Sequence, residues 1–132
     1  MTEPDRPIYG RMAVIGCGLI GSSVIRAARS HGAAAAIAIA DADPATLARA
    51  EALGLGDAYS AEPAEAVTDA DLVLFAVPVL AMGEAMAKAA PALKAGATIT
   101  DVGSVKGAVA EALATRAPPD AFVIPGHPVA GT

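Results

Sequence analysis

The chain has no tryptophan, one cysteine, two histidines, and only two each of phenylalanine and tyrosine. The lone thiol, Cys17, cannot close an internal disulfide, and nothing in the sequence points to an oxidising compartment. Lysine and arginine together number 9 against 14 acidic residues, for a formal charge of −5. No basic run occurs, so the electrostatic footprint of a nucleic-acid binder is missing. Long apolar runs are missing too, although 55% of the residues are hydrophobic. The stretch 33–40 is short, and the run from Leu72 is interrupted by Pro78 and ended by Gly83. Neither reaches the ~20 residues that a spanning helix needs. Residues 1–7 are polar and proline-containing, unlike a secretory signal. A soluble, cytoplasmic protein is expected, with no membrane or nucleic-acid partner and no metal site.

What is present alternates. Apolar runs predict strands near 11–15, 35–40, 72–76, 97–100 and 121–124, with a short one near 58–59. Between them lie helical patterns near 19–30, 44–53, 79–90 and 105–115. The second helix is well punctuated, with Asp43 as N-cap, Pro44 in the first turn and Gly54 at the C-terminus. Strands that read as unbroken apolar runs belong to a sheet covered on both faces. Their alternation with helices predicts a parallel, doubly wound α/β sheet. The chain, 132 residues long, has room for one compact domain, here residues 9–132 after a tail of 1–8. Much of its apolar content is alanine, which suits close helix-on-sheet packing.

The richest segment follows the first strand: Gly16-Cys17-Gly18-Leu19-Ile20-Gly21, leading straight into a helix. Strand, glycine turn and helix in that order form the context of a Rossmann dinucleotide fingerprint. Gly16 permits the tight turn, Gly18 lets the backbone approach a pyrophosphate, and Gly21 lets the helix pack on its strand. The helix N-terminus presents free N–H groups and partial positive charge to the phosphates. Asp41 stands twenty residues beyond Gly21, at the end of the second strand, where a carboxylate can accept hydrogen bonds from ribose hydroxyls. It is followed by Ala42 and Asp43, with no arginine or serine cluster to receive a 2′-phosphate. Two carboxylates there would repel one, so NAD is expected over NADP.

Ligands of such sheets bind beyond the carboxyl ends of the strands. Val77 and Pro78 mark the turn after the strand from Leu72, where the backbone can cover the nicotinamide ribose or simply start a helix. Ser104 immediately precedes a helical pattern, the place of an N-cap, and its hydroxyl can also point into the crevice. Lys106 falls in the first turn of that helix, as a solvated lysine or an anion contact. His127, between Gly126 and Pro128, is the strongest catalytic candidate, because imidazole can accept a proton near neutrality as a hydride leaves the adjoining carbon. His31, before Gly32, reads as a helix C-terminus. Cys17 has no partner base in the sequence, which argues against a nucleophilic role.

Four segments together resemble the prephenate/arogenate (cyclohexadienyl) dehydrogenases of tyrosine biosynthesis. They are GCGLIGSS (16–23), LFAVPV (74–79), DVGSVKG (101–107) and GHPVAGT (126–132), in the family's order. The resemblance implies a Rossmann-type NAD-binding domain and an oxidative decarboxylation of prephenate or arogenate. The C4 hydrogen of the cyclohexadienol leaves as hydride to NAD, the C4 hydroxyl proton goes to a base, and the ring carboxylate departs as CO₂. It places His127 as the group receiving that hydrogen bond or proton, and Ser104 as an orienting hydroxyl beside the cofactor. Backbone and side chains of Gly16, Cys17, Gly18, Leu19, Ile20, Gly21, Asp41, Val77, Pro78 and Ser104 are the expected cofactor contacts. The family's helical C-terminal domain, which supplies its dimer interface and basic substrate-binding residues, is expected to be absent, with a homodimer formed by the full-length enzyme. Other small-substrate oxidoreductases, of hydroxyacid dehydrogenase or imine reductase type, and a noncatalytic NAD-binding module remain alternatives.

Overall fold

The computed structural model describes residues 9–101 and the strand 122–124. Six strands form one parallel sheet: β1 (Tyr9–Ile15), β2 (Ala34–Ala40), β3 (Ala58–Ser60), β4 (Leu72–Phe75), β5 (Thr98–Asp101) and β6 (Phe122–Ile124). Their order across the sheet is β3-β2-β1-β4-β5-β6. The chain therefore builds outward from β1 to β3, then crosses back to place β4 on the other side of β1. That reversal opens a crevice above the carboxyl ends of β1 and β4. The helices are α1 (Leu19–Ser30), α2 (Pro44–Ala52), α3 (Pro63–Val67) and α4 (Val79–Ala89), and a 3₁₀ turn follows at Ala90–Ala92.

Side-chain alternation explains the unbroken apolar runs. Met12 and Val14 of β1, Ile37 and Ile39 of β2, and Leu74 of β4 pack with Ile25 and Ala28 of α1 and Ala50 of α2. Their neighbours Ala13, Ile15, Ala38, Ala40, Val73 and Phe75 face the other way, against Val67 of α3 and Met82 and Met86 of α4. The central strands β1, β2 and β4 are thus covered on both faces. The buried helical positions keep the matching period: Gly21, Ile25 and Ala28 on α1, and Met82, Met86 and Ala89 on α4. Alanine on β2 leaves room for the bulk of Phe75 and the two methionines on that face.

Helix ends follow the sequence closely. Asp43 caps α2, accepting the Ala45 N–H at 3.3 Å and the Thr46 hydroxyl at 2.7 Å. Gly54, at φ +66°, supplies the left-handed residue beyond the Leu53 C-cap. His31 closes α1, its N–H donating to the Ala27 carbonyl. Two elements were not predicted: α3, with only five residues and too short for a period, and the 3₁₀ turn around Pro91. β1 starts two residues earlier than expected, and β4 stops at Phe75 because Ala76 already turns toward the crevice. The helix expected near 105–115 lies outside the described residues.

Below the sheet, two aspartates tie strand starts together. Asp71, just before β4, accepts the N–H groups of Gly10 and Arg11 on β1 at 3.0 Å each, and its other oxygen meets Lys94. Asp57, just before β3, accepts the Ile37 N–H of β2 at 2.8 Å and pairs with Arg29 at 3.2 Å. Lys94 and the Arg11 N–H hold the Asp71 carboxyl below the ordinary carboxylate range. For Asp57 the Ile37 N–H, followed by Arg29, outweighs the opposing effect of partial burial.

Candidate cofactor-binding site

The glycine turn divides its labour in a way that geometry makes plain. Gly16 leaves β1 at φ +99°, and a Cβ there would lie 2.6 Å from the Ala76 carbonyl oxygen and 2.9 Å from Val77 Cγ1. A Cβ on Gly21 would lie 2.2 Å from the Gly16 carbonyl oxygen, so α1 reaches its strand only through a residue without a side chain. These two glycines answer to the protein itself. Gly18 does not. It has an ordinary φ of −78°, is exposed, and a Cβ there would meet nothing within 4 Å. The space it leaves open lies at the start of α1, whose N-cap has no side-chain hydrogen bond and whose first turn has no acidic residue. An anion can approach the helix N–H groups there. Leu19 and Ile20 contribute the backbone of that first turn.

Asp41 stands immediately after β2, half-buried. Its Oδ2 accepts the Cys17 N–H at 2.7 Å and its Oδ1 accepts the Asp43 N–H at 2.9 Å. The carboxylate therefore holds the glycine turn and the β2–α2 turn together, and the Cys17 N–H is not available to a phosphate. The Cys17 side chain is buried under α1, with Sγ 3.7 Å from the Ser22 hydroxyl. Among the described residues no cation pairs with Asp41.

A cleft of about 410 Å³ opens between these pieces. Gly16, Ala40 and Ala76 form its floor, Gly18 one edge, Asp41 and Asp43 one wall, and Val77 and Pro78 the facing turn. Pro78 is also the N-cap residue of α4, so it starts a helix and lines the cleft at once. The cleft then runs on along α4 past Ala81 and Ala85 to the Glu84–Lys88 pair (3.8 Å), opposite Ala61 and Pro63. That small-residue extension escaped the sequence reading. The spacing 78, 81, 85, 88 marks one face of a helix, but only the β4–α4 placement shows that this face meets the cleft. Asp101, at the carboxyl end of β5 beside Phe75, is the buried charged residue among the described ones, 3% exposed.

Ser104, Lys106 and His127 lie outside the described residues. The strands that precede them do not: β5 ends at Asp101 and β6 at Ile124, both parallel to β1 and so ending on the crevice side of the sheet. No group of three histidine, cysteine or acidic side chains able to hold a metal occurs among the described residues. None of their helices is long and apolar enough to cross a membrane.

Residues 24–132 match the family model described as prephenate dehydrogenase, nucleotide-binding domain. The chain belongs to this family. It is 42% identical over 125 residues to the cyclohexadienyl dehydrogenase of Zymomonas mobilis, covering 95% of this chain and 42% of that protein. Its fold is similar to the prephenate dehydrogenase of Aquifex aeolicus solved with hydroxyphenyl propionate and NAD⁺ (TM-score 0.81, 29% identity, 93% of this chain and 43% of that one). It is also similar to the arogenate dehydrogenase of Synechocystis (TM-score 0.79, 30% identity, 92% and 42%). The chain thus spans less than half the length of these relatives. The nucleotide-binding domain and the doubly wound parallel sheet expected from the sequence are borne out.

Proposed function

We propose that this chain binds NAD as the dinucleotide-binding domain of a prephenate or arogenate dehydrogenase, acting in tyrosine biosynthesis. The observation that carries the reading is the pairing of Gly18 with Asp41. One leaves an open approach to the α1 N–H groups, and the other sets a carboxylate with no cation partner among the described residues, where ribose hydroxyls are the complementary donors. The residues present fit a dinucleotide, since a side chain at Gly18 would fill the approach while disturbing nothing in the protein.

When bound, the nicotinamide supplies the hydride acceptor. The chain's own contributions are positional. Val77 and Pro78 close the turn over the cleft, and the backbone of Gly18, Leu19 and Ile20 sets the pyrophosphate, with Cys17 holding the glycine turn to Asp41. Ser104 orients the substrate hydroxyl, and His127 accepts its proton as the carboxylate leaves as CO₂. The domain occupies 9–132 after the short segment 1–8. The full-length enzyme is a cytoplasmic homodimer whose further sequence completes the substrate pocket.

Calorimetric titration of the 132-residue chain with NAD⁺ and then NADP⁺ tests the cofactor assignment. Saturable binding that prefers NAD⁺ supports it, and a folded sample that binds neither overturns it. In the full-length enzyme, His127→Asn should abolish turnover with NAD⁺ affinity nearly unchanged. Near-normal turnover would remove His127 from the mechanism.

A further inference from the structure

We infer that the groove between α1 and α2 is a pocket for a phosphate monoester, and that the Asp41 carboxylate, not a shortage of cations, bars the 2′-phosphate of NADP from it. This inference rests on the cofactor reading above. The groove encloses about 340 Å³. Ser22, Ser23 and Arg26 line it from α1, and Thr46 and Arg49 from α2. No carboxylate is among its lining residues, in a chain where acids outnumber bases. Arg26 and Arg49 are exposed, and neither forms an ion pair among the described residues. Two guanidinium forks with the Ser23 hydroxyl match the acceptor-rich geometry of a phosphate, while the Ser22 and Thr46 hydroxyls already donate to the Cys17 carbonyl and to Asp43.

The position of the groove gives it a ligand. It meets the cofactor cleft at Gly18, which borders both. The partition between the two is the Cys17 N–H to Asp41 Oδ2 bond, with Cys17 lining one side and Asp41 the other. A ribose whose hydroxyls face Asp41 therefore directs its 2′ position at this partition. A 2′-phosphate, with a charge of roughly −1.5 to −2 at neutral pH, would meet the Asp41 carboxylate before it reached either arginine. Asp43 adds to the barrier from behind Thr46, whose hydroxyl donates to it. Read along the sequence, no arginine or serine cluster adjoins Asp41. The fold assembles one, from residues 22–26 and 46–49, on the far side of the partition.

The experiment measures dissociation constants of NAD⁺, NADP⁺ and inorganic phosphate for the 132-residue chain and four variants. Wild type should favour NAD⁺ by about tenfold or more. Asp41→Ser should tighten NADP⁺ by about tenfold while weakening NAD⁺ several-fold. Asp41→Asn, which keeps an acceptor for the Cys17 N–H, should show the same direction and guards against a loosened turn. Adding Arg26→Met and Arg49→Met to each Asp41 variant should erase the NADP⁺ gain with NAD⁺ binding unchanged from the parent variant. Inorganic phosphate should compete with NADP⁺ in Asp41→Ser but not with NAD⁺ in wild type. Survival of the gain without both arginines, or no gain in either Asp41 variant that still binds NAD⁺, would overturn the inference. If wild type binds neither dinucleotide, the cofactor reading fails separately. The phosphate titration then decides the pocket, in its favour if binding needs both arginines and against it if phosphate does not bind.

Discussion

Three aspartates at strand ends make the same kind of contact, and one differs in what accompanies it. Asp71 and Asp57 stand just before β4 and β3 and accept backbone N–H groups of the neighbouring strands β1 and β2. Asp41 stands just after β2 and accepts the N–H that follows β1's exit turn. The lower two are neutralised by Lys94 and Arg29. The upper one has no cation partner among the described residues. A carboxylate with its charge matched by the protein is a fastening, whereas one left with its charge facing a cleft is available to a ligand. The glycines divide in the same way: Gly16 and Gly21 are required by atoms of the protein, and Gly18 only by open space.

This division of fastening from binding can be broken at several points. Gly21→Ala and Gly16→Ala drive a Cβ into the carbonyl oxygens of Gly16 and Ala76. Each should cost at least about 3 kcal/mol in urea unfolding and take dinucleotide binding with it. Asp71→Ala leaves two strand N–H groups and Lys94 without their acceptor, and should cost about 2 kcal/mol with NAD⁺ affinity intact. The pH dependence should be smaller. Asp71 and Asp57 have lowered carboxyl pKa values in the fold, so the unfolded chain takes up protons first as acid is added. Their stabilisation is complete above the ordinary value of 3.8 and is lost as pH falls below it through the folded values. Asp71→Asn should flatten that acid limb, as read by urea midpoints on either side of it. Gly18→Ala should have the least effect on stability, within about 0.5 kcal/mol. Its weakening of NAD⁺ binding, by about tenfold or more, would place this glycine with the ligand rather than the fold.

The strands were legible because burial on both faces writes apolar runs that no surface element shares. The glycine turn and Asp41 were legible because their spacing is fixed by one strand–helix–strand unit. Asp43 and His31 were read correctly as helix-end residues from local chemistry alone. Register-dependent contacts were not legible. Nothing near Asp71 in sequence points to Gly10, and nothing near Asp57 points to Ile37, because those pairs exist only once β4 and β3 are laid beside β1 and β2. The α4 wall of the cleft and the Arg26–Arg49 cluster were hidden for the same reason. For Ser104 and His127, which lie outside the described residues, only their order after β5 and β6 was legible.

The Asp41–Cys17 bond also has a kinetic consequence. The glycine turn is tied to β2 by a bond between the protein's own atoms, so docking need not begin with a slow rearrangement of that turn. Association should then be limited by encounter and proceed in a single phase, and related dinucleotides should differ mainly in how long they stay.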